Sequence, residues 1–151
     1  TVSTNLSLAF NTSREFLKHV SKTKKGSLVF VGSTAGIYGE AGHSDYAAAK
    51  GAITSGLLKT LKNEAAQIGD GVRINAVAPG WTVTQKKIDE GLERKHVDKV
   101  VSTMSLKKLA TPEDVANSIV ILASDSLSGH TTGQVVEIAG GMEGRLITGT
   151  K

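Results

Sequence analysis

Two short apolar runs, Ser27-Leu-Val-Phe-Val-Gly32 and Val72-Arg-Ile-Asn-Ala-Val-Ala78, flank a long stretch of helical periodicity. This alternation limits the folds open to the chain more than any other feature. A continuous apolar run bounded by turn residues is the pattern of a strand covered on both faces. Two such strands joined through a helix need a crossover connection, so they lie parallel in one sheet with right-handed connections. Gln134-Val-Val-Glu-Ile138 supplies a third strand after a further helical stretch, ahead of Gly140-Gly141. The element order therefore predicts an α/β chain with a doubly wound parallel sheet.

The helices are marked by spacing and punctuation. Leu6, Ala9, Phe10, Phe16, Leu17 and Val20 fall on one stripe, which predicts a helix over residues 3–21 that Gly26 breaks. After a loop containing Gly36, Gly39 and Gly42, Ser44 and Asp45 are N-cap candidates for a helix reaching about Ile68, where Gly69, Asp70 and Gly71 end it. Pro79-Gly80 cuts off the second strand, because proline cannot continue a central ladder. Residues 85–103 read as a weaker helix, with Gly91 inside and a dense mix of Lys, Glu and Asp, and residues 81–105 as an exposed flap. Thr111-Pro112-Glu113-Asp114 offers a cap, a proline at the first helical position and acids in the first turn, followed by apolar Val115, Ala116, Ile119, Val120 and Leu122.

Composition narrows the function classes. A chain of 151 residues that is 39% hydrophobic and 21% charged has ordinary globular usage and the length of one domain. It has no cysteine, which excludes a disulfide scaffold, a thiolate metal site and a cysteine nucleophile, and fits a reducing, cytoplasmic setting. No apolar run is long enough to cross a membrane, and the amino-terminal residues lack the pattern of a signal peptide. The net charge of +4 is spread along the chain, which argues against nucleic acid as a partner. Its one compact basic cluster, Lys22, Lys24 and Lys25, follows a predicted helix end, where the dipole favours cations.

Tyr46 and Lys50 are four residues apart at the start of the long helix, so their side chains share a face. A phenol working as an acid–base near neutral pH needs help of about 4 kcal/mol. An ammonium about 5 Å away contributes about 3 kcal/mol at an effective dielectric near 20, and the helix N-terminus acts in the same direction. Ser33 lies thirteen residues before Tyr46 and directly after the first strand, at a carboxyl strand end, where doubly wound sheets place their sites. With 14 lysines, 14 serines and two tyrosines, this spacing arises by chance in about 2% of such sequences. The four histidines, His19, His43, His96 and His130, show no metal-ligand spacing and read as surface residues, with His43 and Trp81 flanking the site as candidate pocket-lining groups. Gly36-Ile-Tyr-Gly39-Glu-Ala-Gly42 lacks the Gly-x-Gly-x-x-Gly spacing of a phosphate loop and reads as a substrate-side loop.

With these motifs in place, the sequence resembles the short-chain dehydrogenase/reductase family. The resemblance runs from Thr4-Asn5 through Ser33-Thr-Ala-Gly36, Tyr46-Ala-Ala-Ala-Lys50, Asn75-Ala-Val-Ala-Pro-Gly80 and Gly133-Gln-Val-Val to Gly140-Gly141. It implies an NAD(P)-dependent oxidoreductase that interconverts an alcohol and a carbonyl, with Tyr46 as general acid–base and Ser33 polarising the carbonyl. Lys50 would assist the tyrosine and bind the nicotinamide ribose, and Asn5 would hold a water in the proton relay. Tyr46, Lys50, Pro79, Gly80, Thr82 and Thr84 are the implied cofactor-binding residues, for NAD or NADP, and no metal is required. Two positions depart from the family pattern: Ala139 where an Asp often precedes the double glycine, and Thr82 where a branched aliphatic residue is usual.

The resemblance also implies a Rossmann-like domain of which residues 1–151 are the carboxyl-terminal part, supplying strands 5 to 7 and leaving strand 5 with an open edge. The other half would be a separate chain, disordered or lost. An unpaired central strand invites pairing with another chain. Gly51 and Gly56 lie beside Ala48, Ala52 and Ser55 in a small-residue patch that lets another helix approach. The resemblance implies that helices 3–21 and 44–68 form the face of a homodimer or homotetramer, which that patch fits, with core packing inside one subunit as the competing role for those glycines. A small-molecule alcohol or carbonyl is the expected substrate. The alternative function is a non-catalytic, oligomerising fragment that retains the motif without turnover.

Overall fold

The computed structural model describes residues 1–89, 91 and 94–142, without the side chains of Lys86 and Lys87. A π-helical turn, Ser3–Ser7, runs directly into helix α1 (Leu8–Thr23). Lys24 ends the helix in the left-handed conformation (φ 58°), its N–H donating to Val20 O, so Lys22, Lys24 and Lys25 stand at the negative end of the helix dipole. Strand β1 (Lys25–Val31) follows, then a short helix α2 (Ala35–Tyr38) where the sequence suggested only a loop. Helix α3 (Ser44–Gly51) continues through a π-helical segment, Ala52–Leu57, into α4 (Leu58–Ile68). The widened segment coincides with buried Thr54, whose Oγ1 donates to Lys50 O at 3.1 Å and competes with the helical ladder. Ser44 and Asp45 do not cap this helix: His43 occupies the N-cap position, and Asp45 Oδ1 accepts the N–H of Tyr46 within the first turn.

Strand β2 (Gly71–Pro79) pairs parallel with β1, Lys25 opposite Gly71 through Val31 opposite Val77. Strand β3 (Val135–Ile138) pairs parallel with β2, Ala76 opposite Val135 and Pro79 opposite Ile138. The sheet order is β1-β2-β3, and the fold is α/β, the carboxyl-terminal part of a Rossmann-like sheet. Period-two alternation sorts the side chains. Phe30, Val72, Ile74 and Ala76 pack with Val20 of α1 and with Leu58, Leu61 and Ala65 of α4. Ser27, Arg73 and Asn75 face the opposite way. Ser27 Oγ and Arg73 reach the carboxyl end of α7 (Pro112–Ala123), and Asn75 reaches the loop before β3.

The expectation of strands covered on both faces holds for β2, buried from Val72 to Ala78, and β1 likewise meets α1 on one face and α7 on the other, so its exposure lies along its edge. β1 is an edge strand with no neighbour on its outer side among the described residues, and Val31 is 45% exposed. The helix expected over 85–103 is split into α5 (Gln85–Asp89) and α6 (Arg94–Ser102), with Gly91 left-handed at φ 79° between them. Glu90, Leu92 and Glu93 of the expected flap lie outside the described residues. α7 begins as its sequence indicates: Thr111 Oγ1 accepts from Asp114 N, Asp114 Oδ2 accepts from Thr111 N, and Pro112 opens the helix. A short α8 (Asp125–Ser128) precedes β3. Among the described residues, no helix is long and apolar enough to cross a membrane.

Candidate active site

Parallel pairing brings the carboxyl ends of the strands to one rim. Gly32 N donates to Val77 O and Thr34 N to Pro79 O, which fixes the turn carrying Ser33 against the end of β2. The chain then folds back through α2 onto α3, and two glycines set how closely. A Cβ on Gly36 would lie 2.6 Å from Gly51 N, and one on Gly51 would lie 2.9 Å from Gly36 O. Only bare backbones allow this approach, which places the Ser33 turn beside the first turn of α3. Ser33, Tyr46 and Gly80 consequently line one cleft of about 850 Å³.

Two of its hydroxyls, those of Ser33 and Tyr46, keep a proton for a ligand. Ser33 Oγ accepts the N–H of Ala35 at 3.2 Å, which occupies a lone pair and leaves the hydroxyl proton for another acceptor. Tyr46 Oη has no hydrogen-bond partner among the described residues, although the ring is half-buried. Lys50, one helical turn on, holds its ammonium 5.7 Å from the centre of the Tyr46 ring, where the electron-rich face attracts a cation. Its Nζ also donates to Val31 O at 2.8 Å, and burial pushes the Lys50 ammonium below the usual lysine range. The site can thus donate one hydroxyl to an oxygen, exchange a proton through another, and hold a cation behind the second.

The remaining expected residues are dispersed. Asn5 sits in the π-helical turn with its amide donating to Thr1 O, and lines a separate recess of about 290 Å³ together with Lys50 and residues of β1. Pro79 ends β2 and receives the Thr34 N–H. Thr82 forms an isolated bridge with Ala110, and its hydroxyl donates to Gly80 O. Thr84 is exposed ahead of α5, its carbonyl accepting from Ile88 N. His43 and Trp81, the two candidate pocket residues, both line the main cleft.

Sequence reasoning missed the far wall. His96, Lys99 and Val100 of α6 and Thr103 just beyond it line the cleft, with Glu40 and Met142 contributing from elsewhere. His96 is exposed, as its sequence reading expected, and its ring also lies 4.9 Å from Trp81, tilted by 48°. Glu40 Oε1 lies 3.8 Å from His43 Nδ1. The spacing of residues 96, 99, 100 and 103 was a usable signal of one helical face, but nothing local indicated what that face would meet. No group of His, Cys, Asp or Glu suited to a metal occurs among the described residues.

The family profile described as enoyl-(acyl carrier protein) reductase matches residues 1–143. A 3-oxoacyl-[acyl-carrier-protein] reductase of Thermotoga maritima is 39% identical over 141 residues, covering 93% of this chain and 55% of that protein. A (3R)-3-hydroxyacyl-CoA dehydrogenase of Canis lupus familiaris is 36% identical over 123 residues, 82% of this chain and 45% of that one. Among solved structures, a Beutenbergia cavernae protein assigned, without an established activity, as an NAD(P)-dependent gluconate 5-dehydrogenase and holding NADP at low occupancy superposes with a TM-score of 0.85. It is 31% identical, and the match covers 93% of this chain and 55% of that one. A 3-oxoacyl-[acyl-carrier protein] reductase from Brucella melitensis gives a TM-score of 0.81 at 32% identity, over 91% of this chain and 50% of that one. The chain spans about half the length of the curated relatives it matches.

Proposed function

The chain belongs to the short-chain dehydrogenase/reductase family, and on that premise we propose that it forms the catalytic half of an oxidoreductase interconverting an alcohol and a carbonyl with NAD or NADP. The observation that carries this reading is the convergence of Ser33 and Tyr46 on one cleft with the Lys50 ammonium behind the phenol ring. The names of the relatives favour a 3-oxoacyl thioester as the carbonyl substrate.

The residues present suit the nicotinamide end of such a cofactor. Gly80 lines the cleft at the end of β2, where the lack of a side chain lets the backbone pass close to Ala139 (a Cβ would stand 3.2 Å away), and Lys50 offers a cation one turn from Tyr46. Pro79, Gly80, Thr82 and Thr84 supply backbone and hydroxyl groups along the same segment. When bound, the cofactor supplies or accepts the hydride. Ser33 Oγ donates a hydrogen bond to the carbonyl oxygen, keeping its own proton, and polarises it. Tyr46 Oη delivers a proton to that oxygen as negative charge develops there, so the carbonyl becomes an alcohol and the tyrosine a phenolate. The Lys50 cation stabilises that phenolate through space. Asn5 and Lys50 line the recess behind, which is large enough for water, and the lost proton returns from solvent along it. Trp81, His96, Lys99, Val100 and Thr103 line the substrate side.

The reading is tested in the longest natural form of the protein by following nicotinamide absorbance with a 3-oxoacyl thioester. Loss of turnover in Tyr46→Phe with the fold intact supports it, and undiminished turnover sinks it. Self-association through the helices at 3–21 and 44–68 belongs to the same proposal. Gly56 is exposed and a Cβ there would meet nothing within 4 Å, so that face is open to a second copy. A smaller mass by light scattering for Gly56→Trp is the expected result.

A further inference from the structure

One wall of the cleft carries charge that the reaction at Ser33 and Tyr46 does not use. His96, Lys99 and Val100 share one face of α6, and Thr103, the first residue past its end, continues the i, i+3, i+4, i+7 spacing, with His96 in the first turn of the helix and Lys99 in the last. His96 is backed by Trp81 at 4.9 Å, which limits where its ring can go. Lys99 has no ion-pair partner among the described residues. The one carboxylate among the described lining residues, Glu40, faces His43 at 3.8 Å. Charge of one sign on the wall of a concave site concentrates ligands of the other sign.

Resting on the reading of this cleft as the substrate site, we propose that Lys99 and His96 hold an anionic group, a phosphate or a carboxylate, at the end of the substrate remote from the reacting carbonyl. Val100 and Thr103, further along the same face, flank the intervening part of the substrate. Lysine suits this role because its ammonium is a point charge on a flexible stem, able to meet either anion without a fixed fork geometry. Both residues are thereby specificity-determining groups.

Trp81 is the single tryptophan of the chain and touches His96, so its fluorescence reports on this wall without any turnover. Two pairs of probes, each differing by charge, are titrated against the full chain: 4′-phosphopantetheine with pantetheine, and 4-oxopentanoate with its methyl ester. The expected result is that the charged member of at least one pair shifts Trp81 emission at a concentration about three- to tenfold below its neutral counterpart. Lys99→Gln removes that preference, Lys99→Arg keeps it, and circular dichroism checks that both variants fold. A response confined to the phosphate pair identifies a phosphorylated carrier arm, and one confined to the carboxylate pair identifies a keto acid. Equal titration of charged and neutral members overturns the proposal, as does a charge preference that survives in Lys99→Gln. Because the signal needs no hydride transfer, undiminished turnover in Tyr46→Phe would sink the catalytic reading and leave this result standing, and the converse also holds.

Discussion

The two ends of β2 use polar groups in opposite ways. Near its start, Arg73 is 4% exposed and commits its guanidinium fully: to Asp125 Oδ1 at 2.8 and 3.1 Å, to the carbonyls of Leu122, Ala123 and Thr131, and to Ser128 Oγ. Asn75, completely buried, gives its amide to Thr131 O and receives Gln134 N. These bonds tie α7, α8 and the loop before β3 to the sheet. At the other end, beyond Pro79, the Ser33 proton and the Tyr46 hydroxyl are left uncommitted at the edge of a cleft. A buried polar group with every partner satisfied stabilises, and a group whose partner is withheld is available to a ligand.

Substitutions at the two ends should therefore separate activity from stability. The largest effect belongs to Tyr46→Phe, which should lower turnover by about 10²- to 10⁴-fold while the urea midpoint stays at the wild-type value. Arg73→Met should do the reverse. Loss of several charge-assisted bonds to buried carbonyls should cost about 3 kcal/mol in urea unfolding. Asp125→Asn, altering the 54%-exposed partner of the same pair, should cost less than about 1 kcal/mol. Equal costs for Arg73→Met and Asp125→Asn would show that the ion pair, and not the carbonyl bonds, holds this end together.

The two glycines of the long helix sharpen the same contrast. Gly51→Ala pushes a methyl group against Gly36 O and should destabilise by about 1–3 kcal/mol, moving the Ser33 turn and lowering turnover with it. Gly56→Ala meets no neighbour and should stabilise by about 0.5–1 kcal/mol in thermal unfolding, through helix propensity alone. The smallest effect concerns pH. Burial lowers the Lys50 pKa in the folded state, so between that value and the ordinary lysine value near 10.4 the unfolded chain holds more protons. Stability from this residue therefore rises with pH across that window, and below it the cost of burying the ammonium is felt in full. Denaturation of wild type and Lys50→Met in parallel should show the wild type gaining on the variant as pH climbs toward that limit.

Short-range spacing settled a good deal without any coordinates. The three strands, the cap at Thr111 and Asp114, and the placement of Tyr46 and Lys50 on one helical face follow from periods and caps that depend only on neighbours a few residues away. Packing between elements decided the rest. The short α2, the break at Gly91, the burial of Arg73 among carbonyls from residues 122–131, and the turning of His96 and Lys99 into the cleft each depend on which surface meets which. Those contacts join residues about 50 or more positions apart in several cases, and no local period encodes them. Gly51 and Gly56 make the point within a single helix. Their sequence surroundings are alike, yet one is held against a backbone carbonyl and the other faces open space, because only the path of the chain through α2 decides which side of the helix is covered.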